Sequence, residues 1–136
     1  MQIQSKQPSR PGPEEMFTGV VWIDAVIVPT ALERLRVNAV HFTPGARTAW
    51  HCHANGQTLH VTEGRGLAQA QGAPLIEIRP GDTIHTPPGE WHWHGADAEH
   101  FMTHLALLEA VAEDAPTPET QWGAHVTDAE YSQRRG

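Results

Sequence analysis

The apolar residues of this chain come in short runs, and glycine, proline or an Asn-Gly pair separates most of them. The runs are GVVWIDAVIV, LRVNAVHF, QTLHVTE, GLAQAQG, PLIEIR, DTIHT and FMTHLALLE; between them stand TPGA, ANGQ, TEGRG, RPGD and PPGEW. Many short, evenly spaced strands with turn chemistry between them predict an all-β sandwich or barrel. Helical periodicity does not compete until the tail HVTDAEYSQRR. There Thr127, with Glu130 three residues on, predicts a capping box and one short C-terminal helix. Residues 1–16, rich in proline and charge, read as an N-terminal arm, loose or laid on a partner subunit. Residues 17–136 read as a single domain, long enough for one core.

Strand parity organises the histidines, of which the chain has ten. In an extended strand residues i and i+2 face the same side, about 6–7 Å apart along the backbone. His51 and His53 can therefore converge on one ion while Cys52 points away. Asn55-Gly56 is tight-turn chemistry that folds the next strand back and brings Gln57 towards the same point. Leu59 and Val61 share the side of Gln57, and His60 faces the other way. Beyond the rigid turn Pro87-Pro88-Gly89, His92 and His94 again share a side. His104 shares its stripe with Met102, Ala106 and Leu108, as a lone polar group on a face that reads as buried.

Taken singly, each feature has a plainer reading. One His-x-His in a strand is more often incidental than a metal site, and a lone histidine among apolar residues is usually a satisfied core group. His41, His85, His100 and His125 read as solvated or structural, Cys52 as packing, and Trp50, Trp91 and Trp93 as sheet-face or interface residues. The combination is what changes the reading.

Charge and the single cysteine narrow the classes further. A net charge of -7 with no basic run disfavours a nucleic-acid partner. The polar start lacks the apolar segment of a signal peptide, and no run approaches the ~18 apolar residues of a membrane span. One cysteine excludes an internal disulfide and suits a reducing cytoplasm, the expected location. Both faces of FMTHLALLE are apolar, more than one small barrel's inner face requires, which predicts a homodimer or homotetramer.

The spacings resemble those of the cupin superfamily. Its first motif, Gly, five residues, His-x-His, three or four residues, Glu, six residues, Gly, is matched by Gly45, His51, His53, Gln57 and Gly64. Its second, Gly, five residues, Pro-x-Gly, two residues, His, is matched by Gly81, Pro87, Gly89 and His92. Only Gln57 departs, standing where the motif has glutamate. The resemblance implies a single-domain jelly-roll β-barrel with a metal held by His51, His53, Gln57 and His92.

A narrower resemblance covers nearly the whole chain. FTPGARTAWHCHANGQTLHVTEG, PGEWHWHGA, MTHLA and HVTDAEY look like the manganese-dependent, cupin-fold hydroxynitrile lyases of bacteria, which share the glutamine and a later histidine at the place of His104. That implies cleavage, or formation, of cyanohydrins such as mandelonitrile, to aldehyde plus hydrogen cyanide. His104 would be the proton acceptor and His94 would orient a ligand or assist the transfer. Asn38 and Val40 would line the substrate pocket, and apolar Leu59 and Met102 would help accept the substrate's side group. Residue types alone leave Mn²⁺, Fe²⁺, Ni²⁺ and Zn²⁺ open; the resemblance favours manganese. Four uncharged ligands would leave the ion's charge undiminished, which suits a Lewis acid. Two other readings stand beside this one: a metal cupin dioxygenase or other metal-dependent cupin enzyme on a small organic substrate, and a non-catalytic ligand-binding cupin.

Overall fold

The computed structural model describes residues 1–133; residues 134–136, the end of the assigned domain, lie outside the described residues. The short apolar runs become strands, and the fold is a two-sheet jelly-roll barrel. The first sheet orders β1 (Arg10–Pro11), β3 (Val21–Ile27), β4 (Leu35–Phe42), β12 (Met102–Glu109), β7 (Gln57–Gly64) and β10 (Thr83–Thr86). The second orders β13 (Thr120–Trp122), β6 (His51–His53), β11 (His92–Ala96), β5 (Arg47–Thr48) and β2 (Phe17–Thr18). Strand β8 (Gly66–Ala70) joins β11 to β9 (Ile76–Ile78). Pairing is antiparallel throughout the described sheets.

Alternation decides which side chains enter the barrel, and register decides how deep they sit. Met102, His104, Ala106 and Leu108 of β12 lie opposite Phe42, Val40, Asn38 and Arg36 of β4. Those four rungs run from a sealed floor, where Met102 and Phe42 are buried, to a partly exposed rim at Arg36. The other neighbour of β12 needs a correction of phase. Between Thr103 and His104 the pairing with β7 shifts, from Glu63 to Val61, so Thr62 is an extra residue. This bulge keeps His104 and Val61 on the same buried face. The Thr62 hydroxyl fastens it by donating to the Thr103 carbonyl at 3.2 Å.

The floor belongs to a core of Phe17, Val21, Phe42, Leu59, Val61, Ile78 and Met102 with their neighbours. A smaller cluster of Leu67, Leu75, Trp93 and Val126 lies under the C-terminal segment. That segment is tied down by the expected capping box. The Thr127 side chain accepts from the Glu130 amide at 3.1 Å, and Glu130 accepts from the Thr127 amide at 2.9 Å. The helix it starts, α1 (Asp128–Tyr131), is one turn long. Tyr131 donates to the Ala96 carbonyl at 2.7 Å, and the Arg47 guanidinium lies 4.5 Å over its ring.

Residues 1–9 are exposed, but Arg10–Pro11 pair with β3, so the end of the arm extends this chain's own sheet. No helix among the described residues is long and apolar enough to cross a membrane.

Candidate metal centre

His51 and His53 lie at the two ends of the three-residue strand β6, between β11 and β13. His92 pairs directly with His51 from β11. One ring nitrogen from each of these three buried histidines lies within 4.8 Å of the others. Each ring is oriented by its Nδ1. That of His51 donates to the Ala49 carbonyl at 2.8 Å and that of His92 to the Glu90 carbonyl at 2.9 Å. That of His53 lies 3.0 Å from the Thr120 hydroxyl. A carbonyl can only accept, so Nδ1 of His51 and His92 carries the proton and Nε2 is left with its lone pair.

Gln57, at the start of β7, brings its Oε1 to 3.2 Å from His92 Nε2. Both atoms are then acceptors, a pairing that a cation between them reconciles. His53 Nε2 is buried with no hydrogen-bond partner. These atoms fit a divalent metal, and the rings are suited to it by being neutral. Burial, with His92 as the second cause, pushes His53 down to about 4 and His51 well below the usual range; burial also lowers His92.

The cavity above these ligands, about 170 Å³, is lined by Asn38, Val40, Thr48, His51, His53, Gln57, His94 and His104, with apolar Phe17, Ile23, Ala106 and Leu108. Asn38 and Val40 stand in the wall of this cavity. Leu59 and Met102 are not among the residues that line it, and Met102 lies one rung below His104. Register puts Met102 under the cavity floor; Leu59 pairs with Ala106, at the height of the wall, but is packed into the core without reaching the cavity.

His104 and His94 form a pair. His104 Nε2 lies 2.9 Å from His94 Nδ1, while the remaining nitrogens, His104 Nδ1 and His94 Nε2, are buried without partners. Only one proton fits between the two rings, so when both are neutral one of the outer nitrogens carries a proton and the other a lone pair. Burial pushes His104 down to about 4, below the 6.5 of a free imidazole, and His94 well below it. Both stay neutral at ordinary pH.

The remaining histidines stay outside. His41 Nε2 reaches Asp24 at 2.9 Å and its Nδ1 Thr103 at 3.1 Å, on the outer face of the sheet. His60 Nδ1 meets Thr83 at 2.9 Å, His100 pairs with Asp97, and His85 and His125 are exposed. Cys52 is buried, and burial raises its thiol. Trp93 is wholly buried in the smaller cluster, whereas Trp50 and Trp91 line an outer groove with no histidine in it.

One group of wall residues had no sequence signal. Strand β13 pairs with β6 so that Thr120 lies opposite His53 and Trp122 opposite His51. Trp122 stacks on the His51 ring, centroids 4.7 Å apart, and the neighbouring Glu119 forms a two-pronged ion pair with Arg36. The phrase ETQW carries no motif; only its pairing with the histidine strand reveals it.

Residues 38–105 match the Cupin domain family. The chain is 46% identical over 125 residues to the (R)-mandelonitrile lyase of Granulicella tundricola, with 92% of each chain covered. Among solved structures, a cupin-like protein of Thermotoga maritima superposes with a TM-score of 0.83 at 33% identity, over 96% of this chain and 95% of that one. The polyketide cyclase RemF of Streptomyces resistomycificus superposes with a TM-score of 0.69 at 15% identity, over 96% and 90%, and bears on the fold alone.

Proposed function

Because the chain belongs to the Cupin domain family, and its curated relative is a mandelonitrile lyase, we propose that it is a metal-dependent hydroxynitrile lyase acting on cyanohydrins of the mandelonitrile type. The observation that carries this reading is the His94–His104 pair, buried beside the three-histidine cluster with a free nitrogen at each end. Simple ligand storage needs no such base.

His51, His53, Gln57 and His92 would hold a divalent ion, manganese by the family resemblance. When bound it supplies Lewis acidity, undiminished because none of the four side chains is charged. The substrate's hydroxyl hydrogen goes to His104 Nδ1. For that nitrogen to accept, His104 must donate from Nε2 to His94 Nδ1, and His94 then keeps its own proton on Nε2. His94 thereby fixes the tautomer of the base. As the O–H electron pair becomes the carbonyl, the carbon–carbon bond breaks and its pair leaves on cyanide. Burial disfavours a charged His104, so the proton is held briefly and passes to cyanide, leaving as HCN. Val40, Ala106 and Leu108 offer the apolar wall for the side group.

Trp22, Val26, Ile27, Val28, Leu32 and Leu35 expose apolar surface around β3, which supports self-association as a homodimer or homotetramer. The test of the function is cyanide release from racemic mandelonitrile, with and without air, on protein of measured metal content. Rapid release independent of oxygen is the expected result. Release that requires oxygen, or none from metal-replete protein, would overturn the reading.

A further inference from the structure

The cavity has a gradient of exposure. His51, His53, His94 and His104 at its inner end are at most 4% exposed, while the side chains of Arg36 and Glu119 at its outer end are 34% and 21% exposed. Arg36 and Asn38 also line a second, outer hollow of about 460 Å³ with Gln7, Pro8 and Arg10 of the N-terminal segment, and Ala25 and Val28 of the β3 region. The two spaces therefore share a wall at Arg36 and Asn38. Apart from histidines, Arg36 and Glu119 are the only ionisable side chains lining the inner cavity among the described residues.

Their geometry has a chemical consequence. Arg36 Nε donates to Glu119 Oε2 at 2.7 Å and its Nη2 to Oε1 at 3.1 Å. This is the fork-to-fork arrangement by which arginine grips any carboxylate. Glu119 thus fills the site that a substrate's own carboxylate would take, and the paired rim carries no net charge. It is held in place by its backbone too: the Glu119 carbonyl accepts from the Ala54 amide at 3.0 Å, next to the ligand strand.

We propose that Glu119, by occupying the Arg36 fork, makes the mouth of the cavity a filter that favours uncharged carbonyl compounds and their cyanohydrins over carboxylate-bearing ones. The inference rests on the reading of this cavity as the lyase's substrate site and names two specificity-determining residues for it. Arg36 and Glu119 need touch no reacting atom; they act on what enters.

The test is equilibrium binding of benzaldehyde and of 4-formylbenzoate, by calorimetry, to protein of equal metal content. The unaltered protein should prefer benzaldehyde. Glu119→Gln frees the fork and should move the affinity ratio towards 4-formylbenzoate by on the order of tenfold. Arg36→Gln leaves Glu119 unopposed and should move the ratio the other way. A bound metal attracts the carboxylate in all three proteins alike, so its contribution cancels in the comparison. A ratio unaltered by either substitution, or moved in one direction by both, overturns the filter. If one variant fails to fold, the sign of the other decides alone. Cyanide release by the unaltered protein is read separately; its absence would sink the lyase reading and leave the ratio to judge the filter.

Discussion

His94 and His104 share one hydrogen bond of 2.9 Å deep in the barrel, and the other ring nitrogen of each is buried without a hydrogen-bond partner. The shared proton makes the pair directional: one end accepts and the other donates. His104→Ala removes the accepting end without touching the metal ligands. With metal content kept, cyanide release from mandelonitrile should fall on the order of 100-fold or more. Full activity in that variant would remove His104 from the role of base.

Thr120 orients His53 from a strand that has no motif of its own. Thr120→Val keeps the shape and deletes the hydroxyl. Metal affinity, measured by competition with a chelator, should weaken about tenfold or more, as it does when a ligand's supporting hydrogen bond is lost. An unchanged affinity would mean that packing alone sets this ring.

Gln57→Glu would put a negative charge beside the cation. A unit pair at ~4 Å is worth up to roughly 4 kcal/mol at an effective dielectric near 20. Metal should bind more tightly and cyanide release should slow, because the ion's pull on the substrate oxygen is partly cancelled. Tighter binding with faster turnover would contradict the account of the uncharged ligand set.

Acid should destabilise the metal-free protein. An unfolded histidine takes a proton near 6.5, whereas His53 and His104 in the folded protein do so only at about 4. Between those values the unfolded chain binds more protons, so stability rises with pH and is lost as pH falls from about 6.5 towards 4. The loss could reach roughly 3 kcal/mol for each ring. Urea unfolding at pH 7 and pH 4.5 measures it; equal midpoints would show that the buried rings relax into water before they charge.

Two motif glycines should fail for different reasons. A Cβ on Gly64 would come within 1.9 Å of the Phe101 carbonyl oxygen, and its φ is +80°. Gly64→Ala should cost about 3 kcal/mol or more, through clash and strain together. Gly81 has φ +92° but open space around it, so Gly81→Ala should cost only about 1–2 kcal/mol, from backbone strain. Denaturant midpoints of the two variants compare the costs directly.

Which residues of one strand share a face was legible in the sequence wherever strand alternation acts, because the two-residue period is local. It put His51 and His53 on one side and His92 and His94 on another shared side, separated Cys52 and His60, and grouped Met102 with His104. That His92 joins His51, His53 and Gln57 was implied only by the motif spacings of the family. Thr127 and Glu130 likewise announced their capping box, which needs only neighbours in the chain. Depth was not legible. Met102 and His104 share a face, yet one is floor and the other wall, because cross-strand register sets height along the barrel. Nor could the chain alone reveal that Thr120 and Trp122 meet the histidine strand, or that Arg36 finds Glu119, 83 residues away. Such contacts are made by sheet closure, which joins segments whose local sequences carry no mark of each other.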